Sequence, residues 1–222
     1  MTPERFRNLK AALLRRQPDL TVLADEVHKP HNIAAVLRTC DAVGVFAMHA
    51  VATGNSFVRA RGISGGTAPR VGVHTHEALP AAIARLKAQG FQIVAAHLTT
   101  TAEDYRSIDY TQPTALLLGS ELRGVCAVGE ALADRHASLP MRGLAASLNV
   151  SVAAGLFLYE AARQREAAGL YTHCRLTPEQ FERTLFEWCH PDIAARCQRK
   201  GLPYPPLTAD GDLAANPFAN SA

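Results

Sequence analysis

The fold of this chain is decided by the segment Leu139-Pro-Met-Arg-Gly-Leu-Ala-Ala-Ser-Leu-Asn-Val-Ser-Val-Ala-Ala-Gly-Leu-Phe-Leu-Tyr-Glu-Ala-Ala-Arg163. A short apolar strand ends at Pro140, and a loop of small polar residues leads into a helix that carries almost no charge. A helix that is apolar all round must be buried on several faces. We expect one face to lie on the parent sheet and another on a second copy of the chain, with the polar loop at the edge of that interface.

Working outward, strands alternate with helices along the preceding residues. The apolar runs predict strands at 20–27, 46–51, 91–98, 114–119 and 136–140. Helical spacing of apolar residues predicts helices at 2–17, 31–43 and 77–89, and residues 54–72 form a Gly-rich loop. This alternation is typical of an α/β fold with a mostly parallel sheet and helices on both faces.

The two ends of the chain differ in character from this central region. Residues 1–17 predict a basic helical extension, which Thr2 caps and in which Pro3 takes the first position. Residues 18–165 form the predicted central α/β domain, and residues 166–222 a C-terminal helical extension with a mobile tail. Thr177 and Gln180 are spaced as a capping box, which predicts a helix to about residue 188.

Composition excludes several classes of protein. No run of about 18 uncharged apolar residues is present, so we expect no membrane span, and the N-terminus lacks the apolar core of a signal peptide. The five cysteines are odd in number and form no C-x-x-C pair, which favours reduced thiols in the cytoplasm. The pairs His173–Cys174 and Cys189–His190 do not have the spacing of a structural zinc site, so we expect no metal.

Common nucleotide and hydrolase motifs are missing, since the chain has no G-x-G, Walker, G-x-S-x-G or H-E-x-x-H sequence. Polar residues in the second predicted helix are the first candidates for a site. Asn32 stands where the N-cap is expected, and capping is the alternative to a functional role. Arg38 lies off the apolar stripe of the helix, where Asp41 is close enough in sequence to pair with it.

Two further candidates follow buried strands. Gly119 and Glu121 come after strand 114–119, and ligands in open α/β sheets bind beyond the carboxyl ends of strands. The alternative is an ordinary strand-to-helix turn. Ser147 and Asn149 precede the apolar helix. Capping of that helix is the alternative to a functional role, and it accounts well for one of these two polar residues but less well for both.

Together these segments read N-x-x-x-x-x-R at 32–38, G-S-E-x-x-G at 119–124 and L-P-M-x-G with S-L-N-V-S-V-A at 139–153. The combination resembles the three motifs of the SpoU/TrmH family of SPOUT RNA methyltransferases. Segments R-R-Q-P-D-L-T (15–21), V-H-K-P-H-N (27–32), R-T-x-D-A-V-G-V (38–45) and R-K-G-L-P-Y-P (199–205) extend the similarity over nearly the whole chain. The resemblance implies a SPOUT α/β fold with a C-terminal trefoil knot, S-adenosyl-L-methionine (AdoMet) as methyl donor, and a homodimer.

The resemblance also implies a set of site residues. The polar set of the family corresponds here to Asn32, Arg38, Glu121, Ser147 and Asn149. AdoMet is held largely by backbone groups of three loops, which correspond to Ala96, Gly119, Leu139, Met141 and Leu148. The family assigns activation of the ribose hydroxyl to Arg38, which acts either as a transient base or as a cation that orients the hydroxyl and stabilises its developing charge.

The closest resemblance is to members that methylate the 2′-hydroxyl of guanosine-18 in the D-loop of tRNA. Basic residues fit tRNA phosphates, and we predict contacts from Arg5, Arg7, Arg15, Arg16, Arg163, Arg165, Arg199 and Lys200. For any single basic patch, a solvated helix face is the alternative. For the function, the alternatives are a relative that methylates another tRNA or rRNA ribose, and a non-catalytic RNA-binding dimer.

Overall fold

The computed structural model describes residues 1–51, 70–120 and 123–218 of the protein. The chain forms two compact units. One consists of residues 17–170, and the other combines Met1–Arg16 with the residues from Tyr171 onward. The two extensions predicted at the termini therefore belong to a single unit.

A seven-stranded sheet forms the centre of the larger unit, and all of its described strand pairs are parallel. The strands are β1 (Leu20–Asp25), β2 (Ala47–Val51), β3 (Gly72–His76), β4 (Gln92–Ala96), β5 (Glu103–Asp104), β6 (Thr114–Leu118) and β7 (Arg135–Ser138). Their order in the sheet is β3-β2-β1-β6-β4-β7-β5. The predicted mostly parallel α/β sheet is confirmed, while the trefoil knot stays a prediction.

Helices cover both faces of this sheet, as the alternation predicted. The described α-helices of this unit are α2 (Pro30–Ala42), α3 (Leu79–Ala88), α4 (Ala127–Leu132) and α5 (Val150–Ala167), and α1 (Pro3–Leu14) belongs to the other unit. Successive residues of a strand point to opposite faces. Leu116 accordingly packs in one core cluster with Phe157 of α5, whereas Leu117 packs in the other with Ile83 of α3.

Several short elements escaped prediction from the sequence. Strand β3 lies at the edge of the sheet and reads Gly-Val-His-Thr-His, which lacks a regular apolar alternation. Strand β5 has only two residues, and α4 has only six, too few to show a helical period. The predicted Gly-rich loop at 54–72 lies almost wholly outside the described residues.

The smaller unit is helical and contains α1 (Pro3–Leu14), α6 (Pro178–Cys189) and α7 (Pro191–Lys200). The predicted cap of α1 is confirmed, since the Thr2 side chain accepts a hydrogen bond from the Arg5 amide. The predicted capping box of α6 is also present, with reciprocal bonds between Thr177 and Gln180. No helix in the described part of the chain is long and apolar enough to cross a membrane.

Candidate functional site

A cavity of about 540 Å³ opens at the carboxyl edge of the sheet. Strands β4, β6 and β7 are parallel, so their carboxyl ends meet at this edge, where ligands bind in open α/β sheets. The loop between β7 and α5 forms one wall, and the helix itself contributes Ala153 and Phe157. The volume lies within the range of small-molecule sites, which is about 300–1,000 Å³.

Backbone lies very close to backbone on the β6 side of the cavity. A Cβ atom at Gly119 would overlap the main chain of Gly124 and Val125, so only glycine fits there. The Gly124 amide donates a hydrogen bond to the Ser120 carbonyl oxygen at 2.9 Å, and Gly124 has a φ of +66°. Gly119 and Gly124, which both line the cavity, are therefore packed backbone against backbone.

The polar loop is tied to α2 by a pair of asparagines. Asn149 is the N-cap of α5, and its Oδ1 accepts hydrogen bonds from the Ser151 amide at 2.8 Å and the Ser151 hydroxyl at 2.6 Å. Its Nδ2 donates to Oδ1 of Asn32 at 3.2 Å. The asparagine pair therefore holds the loop against the start of α2.

The N-cap prediction for Asn32 is wrong. Helix α2 begins at Pro30, so Lys29 takes the N-cap position and Asn32 lies in the first turn. Asn32 is buried, with 8% of its surface exposed. Proline takes the first helical position, so the helix begins one residue before the predicted range and its N-cap lies three residues before Asn32.

The structure brings most of the predicted site residues together. All five residues predicted to hold AdoMet line the cavity, as do two of the polar set; they are Ala96, Gly119, Leu139, Met141, Leu148, Ser147 and Asn149. Asn32 joins them through its bond to Asn149. Glu121 lies outside the described residues.

Arg38 stands apart from this group. It is exposed on α2, as its position off the apolar stripe predicted, and it is not one of the residues that line the cavity. It makes no hydrogen bond or ion pair, with Asp41 or otherwise, to any residue in the described ranges. Six residues of helix separate it from Asn32, which corresponds to about 9 Å along the axis.

Comparison with known proteins identifies the family of the chain. Residues 19–159 fit the model of the SpoU rRNA Methylase family, and residues 163–216 fit the C-terminal SpoU rRNA methylase model. The chain belongs to the SpoU family. It is 46% identical to the tRNA (guanosine(18)-2′-O)-methyltransferase of Escherichia coli K12 over 218 residues, which cover 97% of this chain and 95% of that protein.

Solved SpoU structures have the same fold. The crystal structure of the Aquifex aeolicus TrmH/SpoU tRNA modifying enzyme aligns with a TM-score of 0.77 at 39% identity, over 86% of this chain and 97% of that one. The SpoU methyltransferase AviRb from Streptomyces viridochromogenes, in complex with the cofactor AdoMet, aligns with a TM-score of 0.61 at 28% identity. That alignment covers 69% of this chain and 62% of AviRb.

Sequence reasoning missed several residues of this SpoU cavity, including Lys29, His97 and Ser138. His97 follows β4, and its Nε2 lies 3.8 Å from a carboxylate oxygen of Glu130 on α4. Residues at the carboxyl ends of parallel strands are expected to line ligand sites, and Ala96, His97 and Ser138 all have such positions. The same criterion could therefore have identified His97 and Ser138 from the sequence.

One buried carboxyl group lies at the end of β1 in this SpoU sheet. Burial raises the pKa of Asp25, and a hydrogen bond from the Cys126 side chain opposes that shift. Asp25 is 6% exposed and does not line the cavity. Its position therefore favours a role in the packing of the strand ends over direct contact with a ligand.

Two of the predicted RNA contacts need correction. Arg165 is fully buried, and its guanidinium donates hydrogen bonds to Asp19 Oδ1 at 2.7 Å and to the Tyr110 carbonyl at 2.8 Å. Arg16 is 2% exposed and lies 5.0 Å from the centre of the Trp188 ring. Both guanidinium groups are buried, which favours a role in stabilising the fold of this SpoU chain over the predicted contact with RNA.

The other predicted RNA contacts are exposed. They are Arg5, Arg7, Arg15, Arg163, Arg199 and Lys200. Arg163 donates to both carboxylate oxygens of Glu160, at 2.9 and 2.7 Å, which holds the pKa of Glu160 below its usual value. This ion pair neutralises Arg163 and makes it the weakest RNA candidate of the set. The remaining five stay predictions and lie in the terminal unit.

Proposed function

We propose that the cavity binds AdoMet and that the protein methylates the ribose 2′-hydroxyl of guanosine-18 in tRNA. The observation that carries this proposal is the meeting of three separate chain segments, around Ala96, Gly119 and Leu139–Asn149, in one cavity. The similarity to the guanosine-18 methyltransferase of E. coli over 97% of the chain supports the choice of substrate.

The cavity residues fit AdoMet. Gly119 and Gly124 both line the cavity and have no side chain, so their peptide groups would be available there for hydrogen bonds to the purine base or ribose of AdoMet. Apolar side chains such as Leu139 and Phe157 cover the remaining surface. Bound there, AdoMet would supply a methyl group that is already activated on a sulfonium.

Positioning is the main task of this chain's own residues, because the methyl donor is already activated. Asn149 and Asn32 fix the loop that forms the cavity wall, and Ser147 presents its hydroxyl within that loop. Arg38 is proposed to orient the ribose hydroxyl and to promote loss of its proton, either by accepting it or by stabilising the charge on the oxygen.

A homodimer is part of the same proposal. Val152, Leu156 and Tyr159 are 51%, 42% and 61% exposed and lie at helical spacing on one side of α5. The opposite side, which includes Phe157 and Leu158, is buried on the sheet. A second copy of the chain would cover the exposed stripe and place the interface beside Leu148 and Asn149.

The test is a methylation assay on unmodified tRNA with labelled AdoMet, followed by mapping of the product nucleotide. The proposal predicts one 2′-O-methyl group per tRNA, on guanosine-18, and no product from tRNA in which that position is already a 2′-O-methylribose. Methylation of another tRNA or rRNA ribose would change the assigned substrate but keep the assignment as an AdoMet-dependent 2′-O-methyltransferase. Binding of tRNA without any methyl transfer would contradict the enzyme assignment.

A further inference from the structure

Three histidines cluster on β2 and β3, on strands that do not line the cavity. The ring of His49 lies 5.0 Å from that of His74 and 5.1 Å from that of His76, between ring centres. Nδ1 of His49 is 2.8 Å from Nε2 of His76. The strand register places His49 beside His74 and Val51 beside His76, so the three rings share one face of the sheet.

Helix α3 packs on that face and adds a fourth basic side chain, Arg85. Burial, followed by the charges of His74, His76 and Arg85, lowers the pKa of His49 to about 4. Burial, Arg85 and His74 lower the pKa of His76 as well. His74, His76 and Arg85 all act to lower the pKa of His49, so the cluster brings together groups that are all positive when protonated.

Acidic groups near the cluster do not balance it. Asp25 is the only charged residue of β1. In the sheet, Asp25 lies beside Val51 of β2, and Val51 lies beside His76 of β3, so one strand separates Asp25 from His76. Glu77 directly follows β3 and is exposed, and neither acid contributes to the lowered pKa values. The chain between β2 and β3, residues 52–69, contains two arginines and no acidic residue.

The second cation of α3 provides a contrast. Lys87 forms a 2.6 Å ion pair with Asp134 and is therefore already neutralised.

A metal ion does not explain the histidines, because no group of three or more potential ligands in the described ranges has a geometry that could hold one. Arg85 is a cation, and the histidines beside it become cations when protonated, so this part of the described structure would attract an anion instead.

We propose that His74, His76 and Arg85 form a phosphate-binding subsite for the tRNA backbone, with His49 as the residue that positions His76. Arg85 and His74 are exposed, and His76 is partly so, which leaves their donor groups accessible. A guanidinium and an imidazolium both donate strong hydrogen bonds to phosphodiester oxygens. The inference rests on the proposed function, in which tRNA is the substrate.

Binding at this subsite should take up protons. In the free protein the lowered pKa keeps His76 neutral near pH 7. A phosphodiester beside the ring would favour the charged form of His76 and raise its pKa. The affinity for tRNA should therefore increase as the pH falls towards the pKa that His76 has in the free protein. This pH dependence distinguishes a phosphate ligand from a purely structural histidine pair.

The experiment measures the dissociation constant of unmodified tRNA against salt concentration, at roughly pH 6 and pH 8, for the full-length protein. Arg85→Gln should lower the slope of log affinity against log salt by about 0.7–0.9. His76→Gln should remove the part of the pH dependence that the wild type owes to this site. Lys87→Gln, the matched control on the same helix, should leave the slope unchanged.

These variants should retain their affinity for AdoMet, and measuring it verifies that they fold. If His76→Gln does not fold, the Arg85→Gln variant still tests the subsite, because Arg85 is exposed. Inorganic phosphate should shift the ring NMR signals of His74 and His76, and tRNA should shift the same signals at far lower concentration. Unchanged salt slope and pH dependence in both variants would overturn the subsite, as would shifts with phosphate but none with tRNA. A wild-type protein that binds no tRNA would instead overturn the proposed function.

Discussion

Arg163 and Arg165 are two positions apart on α5, and their surroundings give them different roles. The guanidinium of Arg165 is enclosed and donates to Asp19, to the side chain of Gln17 and to the carbonyls of Tyr110 and Gln112. Arg163 pairs with Glu160 in solvent. The sequence does not distinguish the two arginines, because it does not show which side of an apolar helix faces buried hydrogen-bond acceptors.

Replacement of Arg165 by Met should lower the free energy of unfolding by about 3–5 kcal/mol, because it leaves Asp19 and several carbonyl oxygens without their buried donor. Denaturant unfolding monitored by circular dichroism would measure the decrease. Arg163→Met is the matched control and should unfold at nearly the wild-type denaturant concentration. Equal effects of the two substitutions would show that Arg165 is not the structural residue described here.

At the scale of the element, the long regular segments were predictable. The apolar spacing of α2 and the buried runs of β1 and β6 gave these elements to within about three residues of their observed ends, as element boundaries usually allow. Strand β3 was not predictable, because edge strands with polar side chains lack the alternation of a half-buried strand. The bond between Asn32 and Asn149 joins residues 117 positions apart and needed the fold to be seen.

The exposed stripe of α5 predicts the effect of a charge on assembly. Leu156→Glu should dissociate the proposed dimer and lower AdoMet affinity, since the loop that lines the cavity continues directly into this helix. Analytical ultracentrifugation at micromolar concentration would measure the dimer fraction. Leu132→Glu places the same charge on a partly exposed leucine of α4 and should leave assembly intact. A fully active monomer of either variant would contradict the link between dimer and site.

For the whole molecule, the structure assigns the cavity and most of the exposed predicted RNA contacts to different units. The cavity belongs to residues 17–170, whereas five exposed predicted RNA contacts belong to the terminal unit. The motifs at 119–124 and 139–153 indicated the cavity because they follow the parallel strands β6 and β7, and that geometry follows from the fold class. The assignment of basic residues was less reliable, because burial of Arg16 and Arg165 depends on packing between distant segments.

This division predicts separable effects on the two ligands. The exposed predicted contacts Arg5 and Arg7 share α1 with a third exposed cation, Lys10. A variant with all three changed to Gln should bind tRNA more weakly, with the log-log salt slope reduced by about 0.7–0.9 for each phosphate that the variant no longer neutralises. AdoMet affinity should not change. Arg183→Gln, which removes an exposed arginine that is paired with Glu187 at 3.0 Å, is the control. An unchanged slope in the triple variant would show that these charges only face solvent.

Methyl transfer by Arg38→Ala tests the central claim most directly. Arg38 is exposed on α2 and makes no hydrogen bond or ion pair with another described residue, so its replacement should leave folding and AdoMet binding intact. The measurement is the single-turnover rate of methyl transfer to guanosine-18, with tRNA and AdoMet both saturating. The account predicts a rate at least about 100-fold below wild type, the smaller end of what positioned proton transfer or charge stabilisation contributes. A rate within a few-fold of wild type would contradict it.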